Sequence, residues 1–315
     1  MFHTIVVPLD ESERAERALP IAARIARASS ASMLLVRIVT IPNDFSLQAH
    51  GIALEPYEVV ETEYDRADAY LKQIACSDEL SGIQVRTIVG SHDPAEAILA
   101  ISQEHQADLI VLSSHGARGA TRWRHGSVAL RIARHSPFPV LLLHSDIDGS
   151  SGLTAPGHGP LRVLVPLDGS PMAEEALEPA IFLSRVFSSP AQGILHLACV
   201  VPLSDPEMLA ETERKHAIRE VQAYLWTVER HIHWQEEGGA KISVTDSITI
   251  SPDVAQALIE RAEPEKGGDE QGYDLIAMTT HGRGGLARWI MGSITERVLN
   301  TTRLPMLIVH PHQRS

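Results

Sequence analysis

The chain reads as two tandem α/β domains, each a doubly wound parallel sheet with helices on both faces, and three observations predict this. Residues 4–10 (Thr-Ile-Val-Val-Pro-Leu-Asp) and 162–168 (Arg-Val-Leu-Val-Pro-Leu-Asp) repeat one phrase. Roughly a hundred residues after each comes a second matched phrase: Ser113-Ser114-His115-Gly116, nine residues, Gly126-Ser127, and then Thr279-Thr280-His281-Gly282, nine residues, Gly292-Ser293. A repeat this long, in register at both ends, implies two copies of one domain. Within each copy, short β-branched runs alternate with helical periodicities. Near-continuous apolar strands such as 108–112 and 139–143 carry the pattern of parallel strands buried on both faces.

In the first copy the order is a strand at 4–8, then a helix at 12–29 with Ala18, Ile21, Ala22 and Ile25 on one face. A strand at 33–39, a long helix at about 57–80 and a strand at 83–89 follow. Asp93-Pro94 opens the next helix, to about 103, with the carboxylate capping and proline at the first helical position. A strand at 109–112, a helix at 127–135 and a strand at 140–144 complete the copy. The second copy repeats it at 163–166, 172–187, 194–201, about 207–236, 242–250, 253–262, 275–279, 293–300 and 306–310. The domains are therefore expected at 1–145 and 161–315, joined by a Gly-, Ser- and Pro-rich linker at 146–160. The polar segment 263–271 has no counterpart in the first copy and reads as a surface loop.

With 315 residues, each half is long enough to bury its own core. Cys76 and Cys199 fall at non-equivalent places, so no disulfide framework or metal pattern is read from them, and a reducing compartment fits. A strand-like run begins at His3, leaving no room for a signal sequence, and no apolar run approaches the roughly 20 residues that span a bilayer. The expectation is a soluble, cytoplasmic protein. The net charge of −13 is spread evenly, with 13 basic and 19 acidic side chains in residues 1–150 and 14 and 21 in the rest, which opposes binding to nucleic acid or an anionic membrane.

Ligands of open α/β sheets sit beyond the carboxyl ends of the strands at the switch point, where helix N-termini present free N–H groups to anions. Both repeated phrases fall there. Asp10 and Asp168 end the first strand of each copy, Ser113 and Thr279 the fourth, and Gly126-Ser127 and Gly292-Ser293 open the next helix with bare amides and a hydroxyl. A carboxylate at one end and a phosphate cradle at the other point to a nucleotide.

In these residues the chain resembles a tandem universal stress protein of two UspA-type domains. ATP-binding members carry Gly-x-x-Gly, nine residues, Gly-Ser/Thr, which both copies match except that Ser113 and Thr279 replace the first glycine. Val-Pro-Leu-Asp and Asp93-Pro-Ala-Glu-Ala-Ile98 are similar too. The resemblance implies five-stranded sheets in the order 3-2-1-4-5, pairing of the halves as a pseudo-dimer, and further homodimerisation. It also implies ATP (or ADP or AMP), with Mg2+, as ligand. In the first copy Pro8, Leu9, Asp10 and Ile38 would hold adenine and ribose, and Ser113, Gly116, Gly126, Ser127 and Val128 the ribose and phosphates. The matching positions are Pro166, Leu167, Asp168, Cys199, Thr279, Gly282, Gly292, Ser293 and Ile294, with Arg118 and Arg283 within reach of phosphates. Gly126→Val and Gly292→Val are each expected to remove one nucleotide with the fold intact.

Structural roles stand beside these. Asp10 and Asp168 suit helix caps, His115 and His281 loop positions, Cys199 a buried small hydrophobe, and His231-x-His233 and His310-x-His312 surface histidines without further ligands. No P-loop, Gly-x-Gly-x-x-Gly, Gly-x-Ser-x-Gly elbow or Mg2+-holding acidic pair is present, so catalysis is limited to slow hydrolysis of a bound triphosphate. The expected function is a nucleotide-binding regulatory protein of the stress response. The alternatives are a nucleotide-free tandem scaffold and a slow ATP hydrolase.

Overall fold

A computed structural model of the chain describes residues 2–40, 56–114, 127–144, 153, 159–203, 211–235, 242–264, 271–280 and 291–311. The chain separates into two compact units, Met1–Val140 and Leu141–Ser315.

The first repeat runs β1 (Thr4–Leu9), α1 (Glu13–Glu16), α2 (Ala18–Ser29), β2 (Ser32–Val39), α3 (Pro56–Ala75), a 3-10 turn (Asp78–Leu80), β3 (Val85–Ser91), α4 (Pro94–Glu104), β4 (Leu109–Ser113), α5 (Ser127–His135) and β5 (Val140–Leu143). The second runs β6 (Arg162–Leu167), α6 (Pro171–Glu174), α7 (Leu177–Ser188), β7 (Ile194–Val201), α8 (Glu211–Gln235), β8 (Ser243–Ile250), α9 (Val254–Ala262), β9 (Leu275–Thr279), α10 (Ser293–Thr301) and β10 (Met306–Val309). Within the repeats the strand orders are β3-β2-β1-β4-β5 and β8-β7-β6-β9-β10, the expected 3-2-1-4-5 in both. The assigned strand pairs of both repeats are parallel.

The central strands are apolar because they are covered on both faces. Ile5, Val6, Val7, Leu109, Ile110 and Val111 are fully buried, as are Val163, Leu164, Val165, Leu275, Ile276 and Ala277. Adjacent residues of β2 face different helices: Arg37 reaches Glu11 beside Arg66 of α3, while Ile38, like Ile101 of α4, lies over Gly90.

One expected helix per repeat is two. The helix read at 12–29 breaks after Glu16, and that read at 172–187 breaks after Glu174. Pro20 and Pro179 explain both breaks. Proline has no N–H to return to the carbonyl four residues earlier, and its ring crowds that carbonyl, here Glu16 or Glu175. Asp93 caps α4 as expected, its Oδ1 accepting from the amides of Ala95 and Glu96 at 3.1 Å each. No helix among the described residues is long and apolar enough to cross a membrane.

Candidate nucleotide site

The proline of Val-Pro-Leu-Asp opens the switch point. The carbonyl of Thr4 accepts from Asp108 of the β4 side while that of His3 accepts from Ser32 of the β2 side. Alternate residues of β1 thus serve alternate neighbours, and Pro8 falls on the β4 side without an N–H to give. Pairing of β1 with β4 is confined to Ile5↔Leu109 and Val6↔Ile110, whereas pairing with β2 runs on to Leu9↔Arg37. Pro166 repeats this: β6 meets β9 only at Val163↔Leu275 and Leu164↔Ile276, and meets β7 as far as Leu167↔Cys199. The two strands part at the switch point, the place where open α/β sheets characteristically take ligands.

Beyond the gap, Asp10 and Asp168 close identical turns. Asp10 Oδ1 accepts from the Ser12 amide at 3.2 Å and from its hydroxyl at 2.5 Å, and Ser12 Oγ in turn accepts from Ala15 N at 3.2 Å, capping α1. The corresponding distances from Asp168 through Ser170 to Ala173 are 2.9, 2.6 and 3.2 Å. The carboxylates therefore act on the caps through serine, leaving them beside the gap. The intervening residue is left-handed in both turns, Gly169 at φ 80° and Glu11 at φ 65°.

Across the gap, Ser113 is part-exposed but Thr279 is 6% exposed, its carbonyl accepting from Thr295 Oγ1 at 2.9 Å. Ser127 and Ser293 are exposed at the starts of α5 and α10, with Val128 half-buried and Ile294 exposed beside them. Gly292 caps α10 with no side-chain hydrogen bond, and its amide donates to the Thr280 carbonyl at 2.7 Å. A Cβ on Gly292 would lie 2.9 Å from that carbonyl oxygen, so this glycine is required by the backbone whether or not a ligand binds. The expectation that Gly292→Val spares the fold is corrected accordingly. Gly116, Arg118, Gly126, Gly282 and Arg283, with His115 and His281, lie outside the described residues.

The register separates Ile38 from Cys199. Cys199 stands opposite Leu167 as Arg37 stands opposite Leu9, so Arg37 is the structural counterpart of Cys199, and Ile38 points to the other face of its sheet. Both Ile38 and Cys199 are buried.

Several side chains around the site were not singled out from the sequence. Tyr70 of α3 donates to Glu16 at 2.8 Å, and its hydroxyl pKa is pushed up by burial, by that bond, and by Asp10 and Glu11 nearby. Tyr224 of α8 repeats the position: burial and the charge of Glu174, with Cys199 and Asp168 close, push its pKa up, while its hydroxyl falls short of a normal hydrogen bond. Tyrosine at matching places in the two long helices was the available signal. In the first repeat, Glu11 pairs with Arg37 at 3.3 Å and Arg66 at 2.7 Å. Further along the rim, Arg131 of α5 pairs with Asp93 at 2.6 Å and Arg297 of α10 with Asp253 at 2.7 Å, tying each helix to the start of its neighbour. The Glu96 amide and then Arg131 hold Asp93 below the usual carboxylate range, and the Gln256 amide and then Arg297 do the same for Asp253. Among the described residues no group of three His, Cys, Asp or Glu side chains converges as a metal site.

The universal stress protein family model matches residues 1–144 and again 161–310. The chain belongs to the universal stress protein family. It is 29% identical over 215 residues to the universal stress protein Rv2005c of Mycobacterium tuberculosis, an alignment spanning 68% of this chain and 65% of that protein. Rv2623 of the same organism is 26% identical over 312 residues, 96% of this chain and 95% of the relative. In fold, the chain is similar to a solved universal stress protein from Archaeoglobus fulgidus, with 20% identity, 98% coverage of each chain and a TM-score of 0.63.

Proposed function

We propose that this universal stress protein is a regulatory protein that binds an adenine nucleotide, ATP or its di- or monophosphate, at the carboxyl ends of the strands in each repeat. Its domains are assigned to 1–145 and 161–315, and occupancy biases conformation or partner contacts. The observation that carries the reading is the duplicated crevice: a proline-parted strand pair, with a carboxylate on one side and an exposed serine at a helix start on the other. A carboxylate accepts hydrogen bonds from ribose hydroxyls, and the opening amides of α5 and α10 favour phosphate. Mg2+, if used, would come with the nucleotide.

The test is to purify the protein without added ligand, denature it, and identify and count released nucleotide, then titrate the emptied protein with MgATP. Asp10→Asn and Asp168→Asn keep an acceptor for the Ser12 and Ser170 turns while removing the charge, so each should weaken one site without unfolding its repeat. Absence of nucleotide together with absence of binding heat would sink the proposal. The second reading, a nucleotide-free scaffold, is favoured by Thr279, which stands in place of the family's glycine and is buried.

A further inference from the structure

We infer that the two crevices are unequal, and that an ion-paired clasp of Glu11, Arg37 and Arg66 closes the base end of the first. The inference rests on the nucleotide reading above. A ligand whose phosphates lie at α5 and whose hydroxyls lie at Asp10 must extend its remaining end across β1 toward β2, because β4 and β2 flank β1 on opposite sides. In the first repeat that place is filled. Arg37, opposite the last residue of β1, sends Nη1 back to the carbonyl of Ile38 at 2.5 Å and Nε to Glu11 Oε1 at 3.3 Å. Arg66 of α3 holds Glu11 Oε2 at 2.7 Å. The guanidinium thus occupies the strand-end carbonyl that an amino group on a base would seek. The Arg37 and Glu11 side chains are only 21% and 18% exposed, so this part of the clasp is largely withdrawn from solvent, while Arg66 stands further out.

In the second repeat every member of the clasp is replaced. Glu11 corresponds to Gly169, which has no side chain to extend, and Arg37 to the buried Cys199. Arg66, four residues before Tyr70, corresponds to Glu220, four before Tyr224, and Glu220 pairs instead with His216 on its own helix at 3.2 Å. Neither Gly169 nor Cys199 carries a guanidinium or a carboxylate, so neither can form such a clasp over the end of β7. Seating a base in the first repeat breaks two ion pairs and a carbonyl bond that have no counterpart among the described residues of the second. An exposed or partly exposed set of this size corresponds to about a tenfold difference in affinity.

Photo-crosslinking with azido-ATP, followed by peptide mapping, reads each repeat separately in the full chain. Wild-type protein should label the second repeat at about tenfold lower ligand concentration than the first. Glu11→Gly and Arg37→Cys, which install the second repeat's own residues, should bring first-repeat labelling to match and leave second-repeat labelling unchanged. Arg66→Ala, at an exposed helix position, loosens the clasp without touching the strand and should shift labelling the same way. Equal labelling of both repeats in wild type, or no shift in all three variants, would overturn the clasp while leaving the nucleotide reading standing. No specific labelling of either repeat, with no heat on MgATP titration, would overturn both.

Discussion

His196 provides a pH-dependent weakness in the second repeat. It lies on β7 with 4% of its surface exposed, its Nδ1 2.8 Å from Thr245 Oγ1 and its Nε2 2.8 Å from Ser247 Oγ, and its ring is tilted against Tyr273 with centroids 5.3 Å apart. Burial, then the charges of Arg261 and Arg162, lower its pKa from 6.5 to about 4. In the unfolded chain the imidazole regains its ordinary value. Above that value both states are neutral and the shift contributes nothing. As pH falls from 6.5 toward about 4, the unfolded state takes up a proton that the folded state refuses, and stability is lost progressively. At about 1.4 kcal/mol per pH unit the loss levels off near 3 kcal/mol once the folded histidine also protonates. The assay is amide hydrogen exchange of β7 and β8 across this pH window, compared with His196→Gln, whose amide retains hydrogen-bonding capacity and does not titrate. The variant should be flatter by that amount. Identical pH profiles for the two proteins would refute the assignment.

Other perturbations have clear directions. Gly193→Ala should destabilise the second repeat by several kcal/mol in denaturant unfolding, because the added Cβ would overlap Ser184 Oγ and come within 2.8 Å of the Ser184 carbonyl. Gly292→Ala should lower thermal stability by about 1–3 kcal/mol even without nucleotide, since its methyl meets the Thr280 carbonyl; unchanged melting would show that α10 moves freely. Ser12→Ala and Ser170→Ala should each cost about 1 kcal/mol by losing the cap of α1 or α6, measured by chemical denaturation. Arg131→Ala should shift stability by less than about 1 kcal/mol, because its partners Asp93 and Glu96 are also solvent-accessible; a much larger loss would mean that the pair is more than a surface tie.

Much of the fold was legible because its signals are local and written twice. The spans 127–135, 194–201 and 275–279 match α5, β7 and β9, and the Asp93-Pro94 helix start needs only the residues beside it. The split of the first helix of each repeat was also written in the sequence, at Pro20 and Pro179, where apolar periodicity continued across a missing hydrogen bond. For the site, the Asp10 and Asp168 strand ends were legible from repetition. The second-strand residues were not, since a shift of one residue exchanges the faces of a strand and nothing local distinguishes Arg37 from Ile38.

By itself the sequence determined the duplication, the order of elements and the residues that terminate the first and fourth strands of each repeat, because periodicity and punctuation act over a few neighbouring residues. Only the tertiary structure decided that Pro8 and Pro166 lie on the side facing β4 and β9, that Asp10 and Asp168 act through serine, and that Gly292 is needed by the Thr280 carbonyl. It alone joined Glu11, Arg37 and Arg66, whose positions in the sequence lie 26 and 55 residues from the glutamate. Contacts between distant residues depend on strand register and on which face of a helix meets the sheet, and both are set when the core packs.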